Sequence, residues 1–270
     1  MSKCKLAVVQ MIITDDKIKN LEILNCYLDK LSENRVDIVV LPEMFCCPYV
    51  TKFFPLYAEC EGGATYTYLS KLAKKYNIYL VAGSMPEVDE HNKIYNTSYV
   101  FDRNGDLIGK HRKIHLFDMQ INDKFIKESN TITPGSDITV FDTEFGMFGL
   151  CICYDLRFTD IFNIMVAKGA KAIIIPAAFN MKTGPSHWDL LFKCRAIDNQ
   201  VYTIGCAPAR NVTDSYISFG NSIVVSPWGD IVNKLDEKEG YFICDLDFDY
   251  VDKIRKEFPF LNHRKNHLYK

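Results

Sequence analysis

The sequence predicts an α/β protein, a four-layer α-β-β-α sandwich built from two pseudo-repeated β-α-β-α-β-hairpin halves. Three observations carry that expectation. Short apolar runs alternate with segments of helical periodicity, the pattern of parallel strands joined by crossover helices. The order of elements recurs in the second half, where Leu41-Pro42-Glu43-Met44-Phe45 is echoed by Ile175-Pro176-Ala177-Ala178-Phe179. Finally, helices cover only one face of each half's sheet, and the simplest apolar cover for the other is the second sheet.

In order along the chain, Lys5 to Met11 reads as an apolar strand, and Ile18, Leu21, Leu24, Leu28 and Leu31 recur at helical spacing. Val36 to Leu41 is a second strand, stopped by Pro42 and expected to lie parallel and adjacent to the first. Glu43 then falls just past a strand's carboxyl end. A loop through Cys46-Cys47-Pro48-Tyr49 precedes a helix near Thr65 to Tyr76 and a strand from Ile78 to Gly83. Tyr95 to Phe101 and Leu107 to Lys113 flank Asp102-Arg103-Asn104-Gly105-Asp106, a hairpin signal in which Gly105 is free to take positive φ.

The second half opens with an apolar run from Met147 to Tyr154, followed by a helix near Thr159 to Lys168, a strand from Lys171 to Ile175, a helix near Ser186 to Asn199 and a strand from Val201 to Cys206. Its hairpin, Asn221 to Val225 with Gly229-Asp230, mirrors Asn96 to Val100 with Gly105-Asp106. One shared core makes residues 1–270 a single expected domain. The tail from Val251 to Lys270, weakly helical and then basic and aromatic, is expected to be a packing or dimer-contact arm.

At 270 residues, 48% hydrophobic and 24% charged, the chain can bury a sizeable core. Its formal charge of −2 arises from interspersed acids and bases, so it lacks the basic face that nucleic-acid binding requires. A small-molecule partner is expected. Met1-Ser2-Lys3-Cys4 runs straight into a strand with no signal-peptide pattern, and no segment is apolar enough to span a membrane. Ten cysteines without regular spacing then read as free thiols in a cytoplasmic, reducing setting.

Cys153, at a strand-to-helix turn, stands where α/β sheets place ligands, and a helix N-terminus there favours thiolate. A nucleophilic cysteine needs a base and an oxyanion donor. Two sets of partners are available: His187, before a helix, or the carboxylate and amine of Glu43 and Lys113. Glu43 is the more informative. The matching strand ends share Pro and Phe, yet only the first carries a carboxylate, flanked by Leu41, Met44 and Phe45. Glu128 reads first as a solvated loop acid, and Asp155 and Arg157 as a helix cap and its ion-pair partner. Cys151 and Cys153 lack a second ligand cluster at metal spacing, Cys46-Cys47 are adjacent, and no phosphate-binding glycine loop follows a strand. No metal or cofactor is expected.

With these residues named, the chain resembles the nitrilase, or carbon-nitrogen hydrolase, superfamily over essentially its whole length. Leu41 to Phe45 resembles the family's catalytic-glutamate segment, Arg112-Lys113-Ile114-His115-Leu116-Phe117 its lysine segment, and Gly149 to Phe158 its nucleophile segment. Phe179 to Trp188, Arg195 to Gln200 and Ser226-Pro227-Trp228-Gly229 are similar to the Nit-type omega-amidases. His111, where that branch commonly has tyrosine, is a departure.

The resemblance implies an α-β-β-α fold, a homodimer, and hydrolysis of the terminal amide of 2-oxoglutaramate and 2-oxosuccinamate. It assigns catalysis to Glu43, Lys113 and Cys153, a supporting role to Glu128, and an oxyanion hydrogen bond to the backbone N–H of Tyr154. Tyr49, Phe179, Asn180 and His187 are the expected substrate-binding residues, and residues between Asp118 and Lys127 an expected lid. For the distal carboxylate, Arg157, Arg195 and Arg210 stay open as donors. Burial would raise the pKa of Glu43 and an adjacent ammonium would lower it, so its direction stays open too. The rivals are another amidase of the superfamily, a catalytically silent binding protein on the same scaffold, and a Cys-His hydrolase using His187.

Overall fold

The computed structural model describes residues 3–121 and 124–268. The first half runs β1 (Cys4–Gln10), α1 (Lys17–Ser32), β2 (Ile38–Val40), α2 (Phe54–Tyr57), α3 (Ala64–Tyr76), β3 (Tyr79–Val81), β4 (Met85–Val88), β5 (Ile94–Phe101) and β6 (Leu107–Arg112). A small hairpin, β7 (Asp118–Ile121) and β8 (Lys124–Lys127), connects to the second half. That half runs β9 (Thr139–Thr143), β10 (Gly146–Leu150), α4 (Thr159–Ala167), β11 (Ala172–Pro176), α5 (Gly184–Asn199), β12 (Tyr202–Cys206), β13 (Ile223–Val225), β14 (Ile231–Lys234), β15 (Gly240–Leu246) and α6 (Phe248–Glu257).

Local chemistry sets these boundaries. The Asp16 side chain caps α1 by accepting from the Lys19 N–H, and Leu21, Leu24, Leu28 and Leu31 form its buried stripe. Asn77 and Gln200 end α3 and α5 in the left-handed conformation, at φ +53° and +49°. Pro185 sits in the first turn of α5, where its missing N–H costs nothing.

Among the described residues the main sheets are ordered β15-β1-β2-β3-β5-β4, with β6 also on β5, and β14-β13-β12-β11-β10-β9. The crossover pairs β1–β2, β2–β3, β10–β11 and β11–β12 are parallel, as expected. Side chains alternate between two environments. Leu6, Val8, Ile38, Val40, Phe148, Leu150, Ile174 and Ile204 form the core between the sheets. Ala7, Val9, Val39 and Leu41 face α1 and α3, while Ile173 and Ile175 face α4 and α5. Burial of each such Leu, Ile or Phe contributes about 1.5–3 kcal/mol.

β4, β7, β8 and β9 were not foreseen, nor was β15. It leaves the second half and pairs antiparallel with β1, from Cys4↔Leu246 to Gln10↔Gly240, closing the first sheet. The tail starts earlier than expected, since α6 begins at Phe248, and Phe248 and Val251 pack into the inter-sheet core. No helix among the described residues is long and apolar enough to cross a membrane.

Candidate active site

The carboxyl ends of β2, β6 and β10 deliver Glu43, Lys113 and Cys153 to one place, and all three are buried. Glu43 is clamped from both halves. Its Oε1 accepts from Lys113 Nζ at 3.0 Å and Asn96 Nδ2 at 2.9 Å, and its Oε2 from the Ala178 N–H at 2.8 Å. The echo of the first Pro-Phe strand end thus contributes a backbone donor to the only one of the two that carries an acid. Lys113 Nζ also lies 2.9 Å from Glu128 Oε2 and 3.0 Å from its Oε1. Glu128 is fully buried rather than solvated. It accepts from the Phe117 N–H at 2.7 Å and the Tyr49 hydroxyl at 2.5 Å.

The strand carrying the nucleophile is shorter than expected. β10 stops at Leu150, and Cys153 opens a single 3-10 turn, Cys153–Arg157, at φ +47°. A non-glycine residue in that region is strained and persists only where its surroundings impose it. The Asp155 carboxylate supplies part of that constraint by accepting from the Ile152 N–H at 3.0 Å. It does not pair with Arg157, as expected, but with His111 Nε2 at 3.1 Å and with the ring and backbone nitrogens of His115 at 2.7 and 2.8 Å. The departure at His111 is therefore a partner of the nucleophile turn.

Three buried acids and bases settle the charge balance. Burial raises the Glu43 pKa and Lys113 only partly opposes it. Burial disfavours the Lys113 ammonium, but Glu128 and Glu43 outweigh it and hold its pKa well above the ordinary range. Burial and the Glu43 charge push the Cys153 thiol well up, against Lys113. The thiolate favoured by a helix N-terminus is opposed here, first by burial and then by the Glu43 and Glu128 charges. Cys153 also hydrogen-bonds Glu43, which adds to the upward shift.

A cavity opens on Cys153, lined also by Tyr49, Phe117, Arg157, Phe179, Asn180 and Tyr216. Phe179 lines it. Asn180 lines it, though its Oδ1 is engaged by the Thr183 and Lys182 N–H groups. His187 is not among the lining residues; its Nδ1 accepts from Arg157 Nη2 at 3.1 Å, so it reaches the cavity only through Arg157. Of the three arginines, Arg195 donates to the carbonyls of Leu156 and Arg157, and Arg210 to that of Phe219. Arg157 alone of them lines the cavity, and its Nε is buried with no hydrogen-bond partner among the described residues. No cluster of three or more His, Cys, Asp or Glu that could hold a metal occurs among the described residues.

The profile of the carbon-nitrogen hydrolase family matches residues 5–256. The chain belongs to that family. Omega-amidase NIT2-B of Xenopus laevis is 43% identical over all of this chain and 98% of its own length. Omega-amidase NIT3 of Saccharomyces cerevisiae is 43% identical over 99% of this chain and 95% of its own. The crystal structure of Saccharomyces cerevisiae Nit3, a nitrilase-superfamily member, superposes with a TM-score of 0.89 at 42% identity, covering 95% of this chain and 94% of that one. This carbon-nitrogen hydrolase is thus an amidase-type enzyme on the α-β-β-α sandwich. Sequence reasoning about the hydrolase missed Asn96, Tyr216 and the Asp155 clamp. Asn96 could have been read as the inward residue of a strand opposite Glu43, whereas Tyr216 lies in a loop with no periodic signal.

Proposed function

We propose that this hydrolase cleaves the terminal amide of a small 2-oxo dicarboxylic acid monoamide, 2-oxoglutaramate or 2-oxosuccinamate, to the dicarboxylate and ammonia. The observation that carries this reading is Arg157, with its unpartnered Nε, lining the cavity that contains Cys153. A half-buried guanidinium whose Nε is buried and unpartnered among the described residues is a ready site for the substrate's distal carboxylate.

In the proposed mechanism the Cys153 sulfur attacks the amide carbon as Glu43 takes the thiol proton. A C–S bond forms, and charge develops on the carbonyl oxygen. Lys113 and the Tyr154 N–H, at the open start of a helical turn, stabilise that oxyanion, each donor contributing about 3 kcal/mol. Glu43 passes its proton to the nitrogen as the C–N bond breaks, and ammonia leaves. Water then attacks the thioester, giving a proton to Glu43, and the sulfur leaves as the C–S bond breaks and recovers that proton. Glu128 and Tyr49 hold the Lys113 ammonium in place throughout. Phe179 and Asn180 form the wall around the substrate chain, and His187 steadies Arg157.

The test is ammonia release from 2-oxoglutaramate, with deaminated glutathione and an N-carbamoyl amino acid alongside. Turnover of 2-oxoglutaramate should exceed the others, vanish in Cys153→Ala, and show a KM raised at least about tenfold in Arg157→Ala. Preference for another substrate would overturn the specificity and leave the chemistry standing, whereas turnover of none would favour a silent binding protein.

We further propose that the protein is a homodimer and works in the cytoplasm. The dimer rests on the outer face of α5, where Leu190 and Ile197 are exposed. The location rests on ten free thiols, and subcellular fractionation would test it.

A further inference from the structure

A second cavity lies against the site, on the Glu43 side. Glu43 lines it and Cys153 does not; Cys153 lines the first cavity and Glu43 does not. The two share Tyr49, Ala178 and Tyr216. Tyr49 and Tyr216 form the partition, their ring centroids 4.6 Å apart and their hydroxyls anchored on Glu128 and on the Ala178 carbonyl. The second cavity is lined also by Ala209, Pro208, Ile13 and Asp214, of which Asp214 is exposed to solvent.

We propose that this second cavity is the port through which ammonia leaves and hydrolytic water enters, while the acyl group on Cys153 fills the first cavity. The proposal rests on the amidase mechanism above. When the C–N bond breaks, the nitrogen carries away a proton from Glu43; when the thioester is cleaved, water gives a proton to Glu43. Both small molecules must therefore reach the same carboxyl group, and between the two steps the acyl chain, held by its own carboxylate at Arg157, stands in the first cavity. A passage ending on Glu43 lets one ammonia be replaced by one water of similar size without release of the acyl chain. The lining carries the charge such a port needs. The Asp214 carboxylate attracts ammonium and repels the anionic substrate and product, so the two routes are sorted by charge. With the partition closed at rest, passage requires a tilt of Tyr216, which sits in an exposed loop.

Narrowing the port should slow thioester hydrolysis without touching acylation. Ala209→Leu and Ile13→Trp each fill part of it from separate segments, so one carries the test if the other fails to fold. With 2-oxoglutaramate the expected result is a kcat and KM that fall together, about tenfold, with kcat/KM retained within about twofold. The acyl-enzyme should then accumulate as a mass increment on Cys153 in intact-protein mass spectrometry. Unchanged kcat and KM in a folded variant would overturn the port. So would a fall in kcat/KM without accumulation, which would make this cavity the substrate's route. Failure of the wild type to release ammonia would instead overturn the amidase reading.

Discussion

Glu43 faces a demand that its environment both creates and satisfies. To take the thiol proton it must be ionised, yet burial works against that charge more strongly than Lys113 supports it, and its pKa lies above the ordinary 4.5. A raised base is better matched to a thiol that is itself held well above 9.0, because the proton then moves between groups less far apart in affinity. The sign follows directly. As pH falls through the raised value the carboxylate protonates and loses its capacity as base, so kcat/KM should fall on the acid side with an apparent pKa above 4.5. No rising limb from thiol ionisation should appear below about pH 9. Steady-state rates across that range check this; an acid limb at or below the ordinary carboxylate value, or activation tracking a low-pKa thiol, would contradict it.

At the scale of elements, one carboxylate joins the strand end that carries the nucleophile to the one that carries the lysine. Asp155 is fully buried and binds the Ile152 N–H, before Cys153, and the His115 N–H, two residues after Lys113. Burial opposes its charge, but His111, His115 and the backbone donors hold its pKa far below the ordinary 3.8. A depressed carboxylate contributes stability that is present above its unfolded pKa and is lost as pH falls through the folded one. Asp155→Asn should therefore lower the unfolding free energy by about 3 kcal/mol or more at neutral pH, with the deficit shrinking below pH 3.8. It should lower kcat more than it alters KM, because it displaces the catalytic groups and not the substrate wall. Urea unfolding at several pH values together with steady-state kinetics checks both, and a deficit independent of pH would remove the clamp from the account.

The same residues mark what the chain discloses before folding. Strand and helix periodicity, and an acid at one of two matched strand ends, are local patterns and were legible. The Asp155 pairings were not, because they join positions 40 and more residues apart that only the sandwich brings together. Nor was the strained turn at Cys153, where the apolar run continues past the strand that ends at Leu150.

For the molecule as a whole, the two halves are stitched together by polar groups that have no use in either half alone. Gln10, fully buried at the end of β1, donates to the Asp236 and Lys238 carbonyls and accepts from the Ser222 N–H and hydroxyl. This pins the β13–β15 region to the first sheet. Part of the apolar surface left over is helical. α5 buries Trp188, Phe192 and Ala196 against its own sheet, yet Leu190, 61% exposed, and Ile197, 46% exposed, recur seven residues apart on the opposite face. Ile164 on the neighbouring α4 is 43% exposed. A helix with apolar side chains on both faces suits a place between two layers, and in the proposed homodimer a second copy of the chain would supply the missing layer through a two-fold, self-complementary contact. The competing patch, Trp228 against Phe258 near α6, already stacks within the chain, with ring centroids 4.8 Å apart. Sedimentation velocity should therefore find a dimer. Leu190→Asp with Ile197→Asp should convert it to a monomer whose circular dichroism is unchanged, since neither side chain enters the core. A monomeric wild type would dispose of the dimer, and a dimer that survives both substitutions would move the interface to the Trp228 face.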